Sequence, residues 1–399
     1  MGELVLWIHP VDGEIRLEPQ LGEYKIFDDE MQLFVGFPEW LGGVVTQVPD
    51  EDVALEDILT ESQMADDIEN SGFRVECLPR PNLKRKDLAS DYSYVPSKYI
   101  RPFALWREMM HGIPKMSCHP TVRHCLTAMA TISVTERCGF KGSWPNADFY
   151  AKGIFHGPES LWVGDAVRVL PRDGDVHEAL VIEEIITRFE NLKSRPEDHG
   201  KFNISSAFNV SCILSGPTYT ILPSKSLSNL AVVVDNEDHP IPECMRGYGP
   251  WYYMSEPTQS VDINFYDIIG RVYEPEVIKL WDLITEDTVT DLLSAGHSSI
   301  SEARTYAAKH DRRIAPDTRW FWAEYRTEAI GTAHFGGIDV GRYDTERDPK
   351  LVHNALVVLD PALSATPKGE SAISTDGSDS VEKSGMDGSD VDDGDDEEE

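Results

Sequence analysis

The sequence predicts a mainly β fold with helical additions, an α+β chain, followed by an acidic tail without a core. Three observations lead there. Short β-branched and aromatic runs, separated by turn residues, recur through residues 160–265. Segments of helical period gather after residue 274. The stretch from about Ser364 onward is dominated by Ser, Gly, Asp and Glu and holds no aromatic residue. The first pattern suits a small barrel or sandwich. The last cannot bury enough apolar surface to fold.

The elements follow in order. Leu4-Val-Leu-Trp-Ile8 and Ile15-Arg-Leu17 flank Asp12-Gly13, which reads as a β-hairpin with that pair at its turn. Asp50–Asn70 is acidic, with irregular apolar spacing, and is a short helix or an inserted loop. Thr121–Thr131 lacks Pro and Gly and spaces Val122, Cys125, Leu126 and Met129 helically. Pro120 suits its first turn. Ser160–Leu170 and Glu178–Phe189 read as strands around a turn at 171–175. Asn209–Leu214, Thr218–Leu222, Leu230–Val234 and Ser260–Phe265 read as further strands. Glu274–Leu283, Thr288–Leu293 and Ser299–Lys309 read as helices, the last with Ser301 as a cap. Trp320–Ile330 is a mixed aromatic segment.

Charge is the strongest compositional signal. The 399 residues hold 70 acidic and 36 basic side chains, net −34. Pro361–Glu399 accounts for −11 of that. Such a chain is a poor general nucleic-acid binder, because phosphate contacts need Lys and Arg. A local exception is Phe73–Lys115, net +5, with Arg74, Arg80, Lys84, Arg85, Lys86, Lys98 and Arg101 among its cations. Phe73, Tyr92, Tyr94, Tyr99, Phe103 and Trp106 interleave with them. Cations mixed with aromatics can hold a nucleic-acid backbone. The structural alternative is a solvated loop anchored by its aromatics.

Other classes are disfavoured. The longest apolar runs fall far short of the roughly 18–20 residues a membrane helix needs. Met1–Pro10 contains Glu3 and no basic region, unlike a secretory leader. Six scattered cysteines suit reduced thiols inside a cell, which makes the sequons at Asn203 and Asn209 chance matches. No phosphate-cradling loop, nucleophile elbow or His-Glu-x-x-His is present, so no catalytic residue and no cofactor are expected. A catalytic site assembled from distant residues is the competing enzyme reading. Cys118-His119 and His124-Cys125 carry zinc-ligand chemistry at the wrong spacing, so no metal site is assigned. Trp251, Tyr252 and Tyr253, with Trp162, could cage a methylated lysine, although strand aromatics are more often core.

Several blocks together carry a resemblance. Gly153-Ile-Phe-His-Gly-Pro-Glu-Ser-Leu-Trp-Val-Gly-Asp-Ala-Val-Arg168 is similar to the bromo-adjacent homology (BAH) signature, with Trp162, Val163, Val167 and Val169 as its core and Gly164-Asp165 as its bend. Trp40–Gln47, Ser71–Glu76, Tyr94–Pro96 and Ile100–Phe103 resemble the N-terminal half of the fungal cryptic-loci-regulator transcription-silencing family. His119–Val122, Phe140–Pro145, Gly270–Glu274 and Trp320–Arg326 resemble its later blocks. The chain departs from the pattern at Cys118, at Leu161-Trp162 and in the acidic tail.

The resemblance implies a nuclear, heterochromatin-associated, non-enzymatic subunit of a repressor complex. Its implied partners are a zinc-finger scaffold subunit, a histone deacetylase and a nucleosome remodeller. DNA, bound weakly and without sequence preference, and histone tails are further implied contacts; no membrane is involved. The implied organisation is an N-terminal β-hairpin region (1–36), a methyl-CpG-binding-like basic module (37–115), a BAH-like barrel (116–275), a helical C-terminal segment (276–360) and a disordered acidic tail (361–399). The alternative function is a BAH-type histone-peptide reader independent of silencing.

Overall fold

The computed structural model describes residues 1–49, 72–78, 92–114, 117–143, 145–171, 175–190, 209–227, 232–233, 241–256, 258–281, 283, 288–336 and 338–339. Asp50–Asn70, three of the five residues of Leu230–Val234 and the whole acidic tail lie outside these residues. The N-terminal part contributes β1 (Leu4–Trp7), β2 (Glu14–Glu18), β3 (Glu23–Asp28), β4 (Leu33–Gly36), β5 (Leu41–Gln47), β6 (Phe73–Cys77), β7 (Tyr92–Val95) and β8 (Ile100–Pro102). Two helices follow, α1 (Trp106–Met109) and α2 (Pro120–Ala128). The middle comprises β9 (Thr131–Ser143), β10 (Asn146–His156), β11 (Glu159–Trp162), β12 (Ala166–Val169), β13 (Glu178–Val181), β14 (Glu184–Glu190), β15 (Asn209–Gly216), β16 (Thr218–Thr220), β17 (Tyr252–Tyr253), β18 (Val261–Asn264) and β19 (Ile268–Arg271). The C-terminal part has α3 (Pro275–Leu280), α4 (Val289–Ser294), α5 (His297–His310), β20 (Phe321–Trp322), α6 (Arg326–Ile330), β21 (His334–Phe335) and β22 (Ile338–Asp339). The expected mainly β architecture with helical additions is the one observed.

Strand pairing departs from the expected N-terminal hairpin. β1 is an all-buried strand between β5 and β8, in a sheet ordered β7-β6-β5-β1-β8. β2 pairs instead with β3, in a separate meander β2-β3-β4. The physical reason lies in the residues. Leu4-Val-Leu-Trp7 is apolar on both faces and needs cover on both. Glu14-Ile-Arg-Leu-Glu18 alternates and needs cover on one.

The glycine pair in the Trp40–Gln47 block follows from close approach. A Cβ at Gly42 would sit 2.5 Å from Cys125 Sγ and 2.8 Å from the Thr121 carbonyl oxygen of α2. The Gly42 amide donates to Thr121 Oγ1 at 2.8 Å. β5 can therefore press directly onto the helix.

The middle forms two sheets around one apolar core. One is ordered β18-β15-β14-β10-β9-β20, with β11 on β10; the other is β17-β16-β13-β12-β19. Ile154, Leu161, Val167, Leu180, Ile185, Leu214 and Ile268 from both sheets share that core. Each expected long strand turns a corner between the sheets. Ser160–Leu170 splits into β11 and β12, and Glu178–Phe189 into β13 and β14. The corners bond to one another: Gly164 donates to Ile182 O at 2.7 Å, and Ile182 to Asp165 O at 2.9 Å. A third corner runs through Gly216, where any Cβ would fall on the Val181 carbonyl oxygen.

Sequence reasoning missed the longest pair of strands. Glycines 139 and 142 and Pro145 obscure the alternation of β9 and β10. Past Thr135 the end of β9 leaves the core and is exposed. Phe140, Phe149 and Phe189 form an aromatic row across β9, β10 and β14, with centroids 6.1 and 5.3 Å apart.

The helices occupy nearly the expected spans. α5 starts two residues early, after the left-handed Gly296, so Ser301 is not its cap. Arg326 of α6 donates from Nε to Gly2 O at 2.7 Å and from Nη1 to Gly157 O at 2.9 Å. It thereby joins the C-terminal helix to the chain start and to the β10–β11 turn.

Gly42→Ala should cost about 1–3 kcal/mol, as for overpacked positions, because its clash is with backbone and a buried thiol. Gly139→Ala, whose Cβ meets nothing within 4 Å, should stay within about 0.5 kcal/mol. Urea unfolding of the two variants beside the parent checks the contrast.

Candidate binding surfaces

The basic window is only partly available to a ligand. Arg80, Lys84, Arg85 and Lys86 lie outside the described residues. Arg74 on β6 is half-turned inward: its Nη1 donates to Thr46 Oγ1 at 2.7 Å and pairs with the buried Glu76. Its guanidinium stands 4.2 Å over the exposed Tyr92 ring. The Lys98 ammonium lies 4.7 Å over Tyr99.

Arg101 requires a correction. It is 5 % exposed, donates to the carbonyls of Lys98 (2.9 Å) and Ile100 (2.8 Å), and stacks on Trp281 at 4.6 Å. Burial pushes its guanidinium down to about 10. The cause is its place in β8, beside the central strand β1. A side chain committed to backbone and ring cannot reach a phosphate.

The Val-Gly-Asp segment forms a bend, with two of the expected core residues reassigned. Gly164 takes φ +100°, and Asp165 Oδ2 accepts from the Trp162 amide at 2.9 Å. Asp165 therefore caps local backbone. Val167 and Val169 are buried. Val163, expected inside, is 45 % exposed, and Trp162 is only half-buried, with Nε1 on Ser160 Oγ at 2.7 Å. The chain leaves the sheet directly after Trp162, which turns the valine outward.

The aromatic-cage candidates do not converge. Trp251 is 1 % exposed; its Nε1 donates to Met245 O at 2.9 Å and its ring meets Tyr248 edge-on. Tyr252 and Tyr253 are successive residues of β17 and so point to opposite faces. Tyr253 packs on Tyr219, 5.5 Å away. Trp251 is a core residue, not a wall of an open cage.

The Cys/His cluster also disperses. His119 is the residue before α2, and its Nδ1 accepts from Thr121. His124 Nε2 bonds Ile330 O at 2.7 Å, and Cys125 is buried against β5.

A polar centre that sequence reasoning did not anticipate lies under the barrel rim. His156 closes β10, stacks on Trp320 at 5.0 Å and bonds Phe265 O through Nε2 at 3.0 Å. Arg304 of α5 donates to His156 Nδ1 at 3.1 Å and to the carbonyls of Ile268 (3.0 Å) and Ile269 (2.7 Å). The donor at Nδ1 leaves the proton on Nε2, facing the Phe265 carbonyl. Burial, and then the Arg304 charge, hold His156 well below the usual histidine range. Beside it, buried Glu159 accepts from the Arg271 amide at 3.0 Å and from Tyr273 Oη at 2.6 Å. Arg271 pairs in turn with Glu3 near the chain start. These groups bond one another and nearby backbone carbonyls, while Arg304 Nε is buried without a partner among the described residues. Neither spacing nor period marks them, because the partners come from positions 3 to 320.

Comparison with known proteins agrees with the middle of the chain. Residues 150–274 match the family described as transcription-silencing protein Clr2. That stretch is about a third of the chain and contains the Gly153–Arg168 and Gly270–Glu274 blocks. A solved structure of Clr2 bound to the Clr1 C-terminus is similar over 90 % of this chain and 60 % of that chain, with 12 % identity and a TM-score of 0.40. No curated protein matches the chain.

The histidine centre has a pH consequence. His156 is kept neutral in the fold, and burial also lowers His297. In the unfolded chain both take up protons as pH falls through about 6.5. Stability should therefore be full above that value and lost as pH falls below it. Glu108, whose carboxyl is raised by burial, works in the opposite sense. Urea midpoints should fall from pH 7.5 to 5.5 for the parent, and fall less for His156→Gln; equal slopes would contradict the assignment.

Proposed function

We propose that this chain is a non-enzymatic subunit of a nuclear transcription-silencing complex that holds a histone-modifying and remodelling assembly to chromatin. The observation that carries this reading is the match of residues 150–274 to the Clr2 transcription-silencing family. The two-sheet barrel with its stacked corners suits a binding module, because its polar centre is spent on internal bonds. The reading assigns residues 116–275 to a BAH-like domain and residues 37–115 to a DNA-contacting module. It takes a zinc-finger scaffold subunit, a histone deacetylase and a nucleosome remodeller as partners. The peptide-reader alternative loses its aromatic cage with the burial of Trp251.

Affinity purification of the tagged chain from its native nucleus, followed by mass spectrometry, tests the assembly. A deacetylase and a remodeller should co-purify in salt-stable amounts. Recovery of neither would overturn the reading.

DNA contact, on this reading, falls to Arg80, Lys84, Arg85 and Lys86, with Arg74 and Lys98 beside them and Arg101 excluded. The strongly acidic remainder repels DNA, so binding should be weak and steep in salt, with about one unit of log–log slope per phosphate contact. Backbone contacts carry little sequence information. Lys84→Glu/Arg85→Glu/Lys86→Glu should weaken binding evenly across sequences while stability shifts by no more than about 0.5 kcal/mol. Gel-shift titrations at two salt concentrations check this; equal affinity of variant and parent at low salt would sink the DNA role.

A further inference from the structure

The β2-β3-β4 meander has two outer edges of opposite character. β2 presents Glu14, Arg16 and Glu18, with Arg16 paired to Glu14 at 2.6 Å and to Asp29 at 3.2 Å. Charged side chains of this kind protect a sheet edge from further pairing. β4 has no such protection. Met31-Gln-Leu-Phe-Val-Gly-Phe37 contains no charge, and among the described residues no strand pairs with its outer edge.

Exposed apolar side chains gather on the same meander. Of the fifteen large apolar residues exposed among the described residues, Leu21, Met31, Leu33, Val35 and Phe37 fall within this one short stretch. Phe34 instead packs edge-on against Phe27, 5.2 Å away. The register shifts at Ile26/Phe27, which leaves Val35 as the extra residue of a bulge and outside the ladder. A gathering of exposed apolar side chains on one element suits an interaction site.

The surroundings specify the charge of what covers it. Residues 12–39 hold eight acidic and two basic side chains. Both cations are already committed: Arg16 as above, and Lys25 to Glu18 at 2.6 Å and Glu23 at 2.8 Å. Asp29 and Glu30 precede β4 and Glu39 follows it, all exposed. Among the described residues neither Glu30 nor Glu39 pairs with a cation. We propose that β4 and its apolar row are the docking site for an extended, cationic segment of a partner protein, whose apolar side chains cover Leu33, Val35 and Phe37 and whose Lys or Arg residues meet the carboxylates at either end. Opposite charge favours such an encounter and excludes acidic competitors. The proposal stands on the N-terminal meander alone and is independent of the silencing assignment.

The test uses the full chain and a fluorescein-labelled ten-residue peptide of alternating valine and lysine, with a valine–glutamate peptide as its counterpart. The lysine peptide should bind saturably by fluorescence anisotropy. Leu33→Lys/Val35→Lys should raise its Kd at least tenfold, and so should Glu30→Lys/Glu39→Lys. All four positions are exposed, so unchanged thermal melts should accompany both variants. The acidic tail is common to every protein and cannot produce the difference. Three outcomes would each overturn the proposal: equal binding by Leu33→Lys/Val35→Lys and parent, equal binding of the glutamate peptide, or a self-association in sedimentation that Leu33→Lys/Val35→Lys abolishes, which would make a second copy the occupant.

Discussion

Buried guanidinium groups bonded to backbone carbonyls hold the parts of this protein together. Arg168 of β12 reaches the Leu293 and Ala295 carbonyls at the end of α4 and lies 5.0 Å from the Tyr273 ring. Arg304 of α5 takes the carbonyls of Ile268 and Ile269 along the edge strand β19, and faces Trp320. Arg313 takes those of Glu328 and Ala329 at the end of α6, and faces Phe321. Arg326 ties Gly2 to Gly157 and faces Phe155. The contacts of Arg168 and Arg326 join segments more than 120 residues apart in sequence, and those of Arg304 and Arg313 join segments nearer in sequence. Among the described residues Arg168, Arg304 and Arg326 have no carboxylate partner, so carbonyl dipoles and ring faces offset the cost of burying their charge.

This device solves two problems at once. Helix ends and sheet edges expose carbonyls that must be satisfied, and a planar five-donor group can serve two of them together. β19, which would otherwise be an open edge of the second sheet, is covered in this way by α5. The helical additions are therefore part of the barrel's closure and not appendages to it. The chain start is bound into the same structure through the Glu3–Arg271 pair and the Arg326 bond to Gly2.

The arrangement also governs what the surface can bind. With 36 basic residues against 70 acidic, arginines turned inward leave a surface still more acidic than the composition implies. Arg101 shows the effect within the basic window, where an apparent phosphate contact is a core residue. A nucleic-acid role must rest on the cations that remain outside. A cationic protein partner, in contrast, would meet favourable charge on most sides.

The mainly β class, the helix at Pro120–Ala128 and the bend at Gly164-Asp165 were legible because each depends on neighbours in sequence: alternation, helical spacing after a proline, and a glycine that tolerates positive φ. The candidate site was less legible. Whether Arg101 faces solvent and whether Trp251 opens a cage depend on which distant strand or helix lies opposite. The partner of β1 shows the same limit, since Asp12-Gly13 can turn the chain but cannot say whether the strands it joins will pair. Local sequence determined the elements and their turns, through propensity and periodicity that act over a few residues. Only the tertiary structure decided register, burial and the use of each arginine, because those follow from contacts between residues up to 324 positions apart.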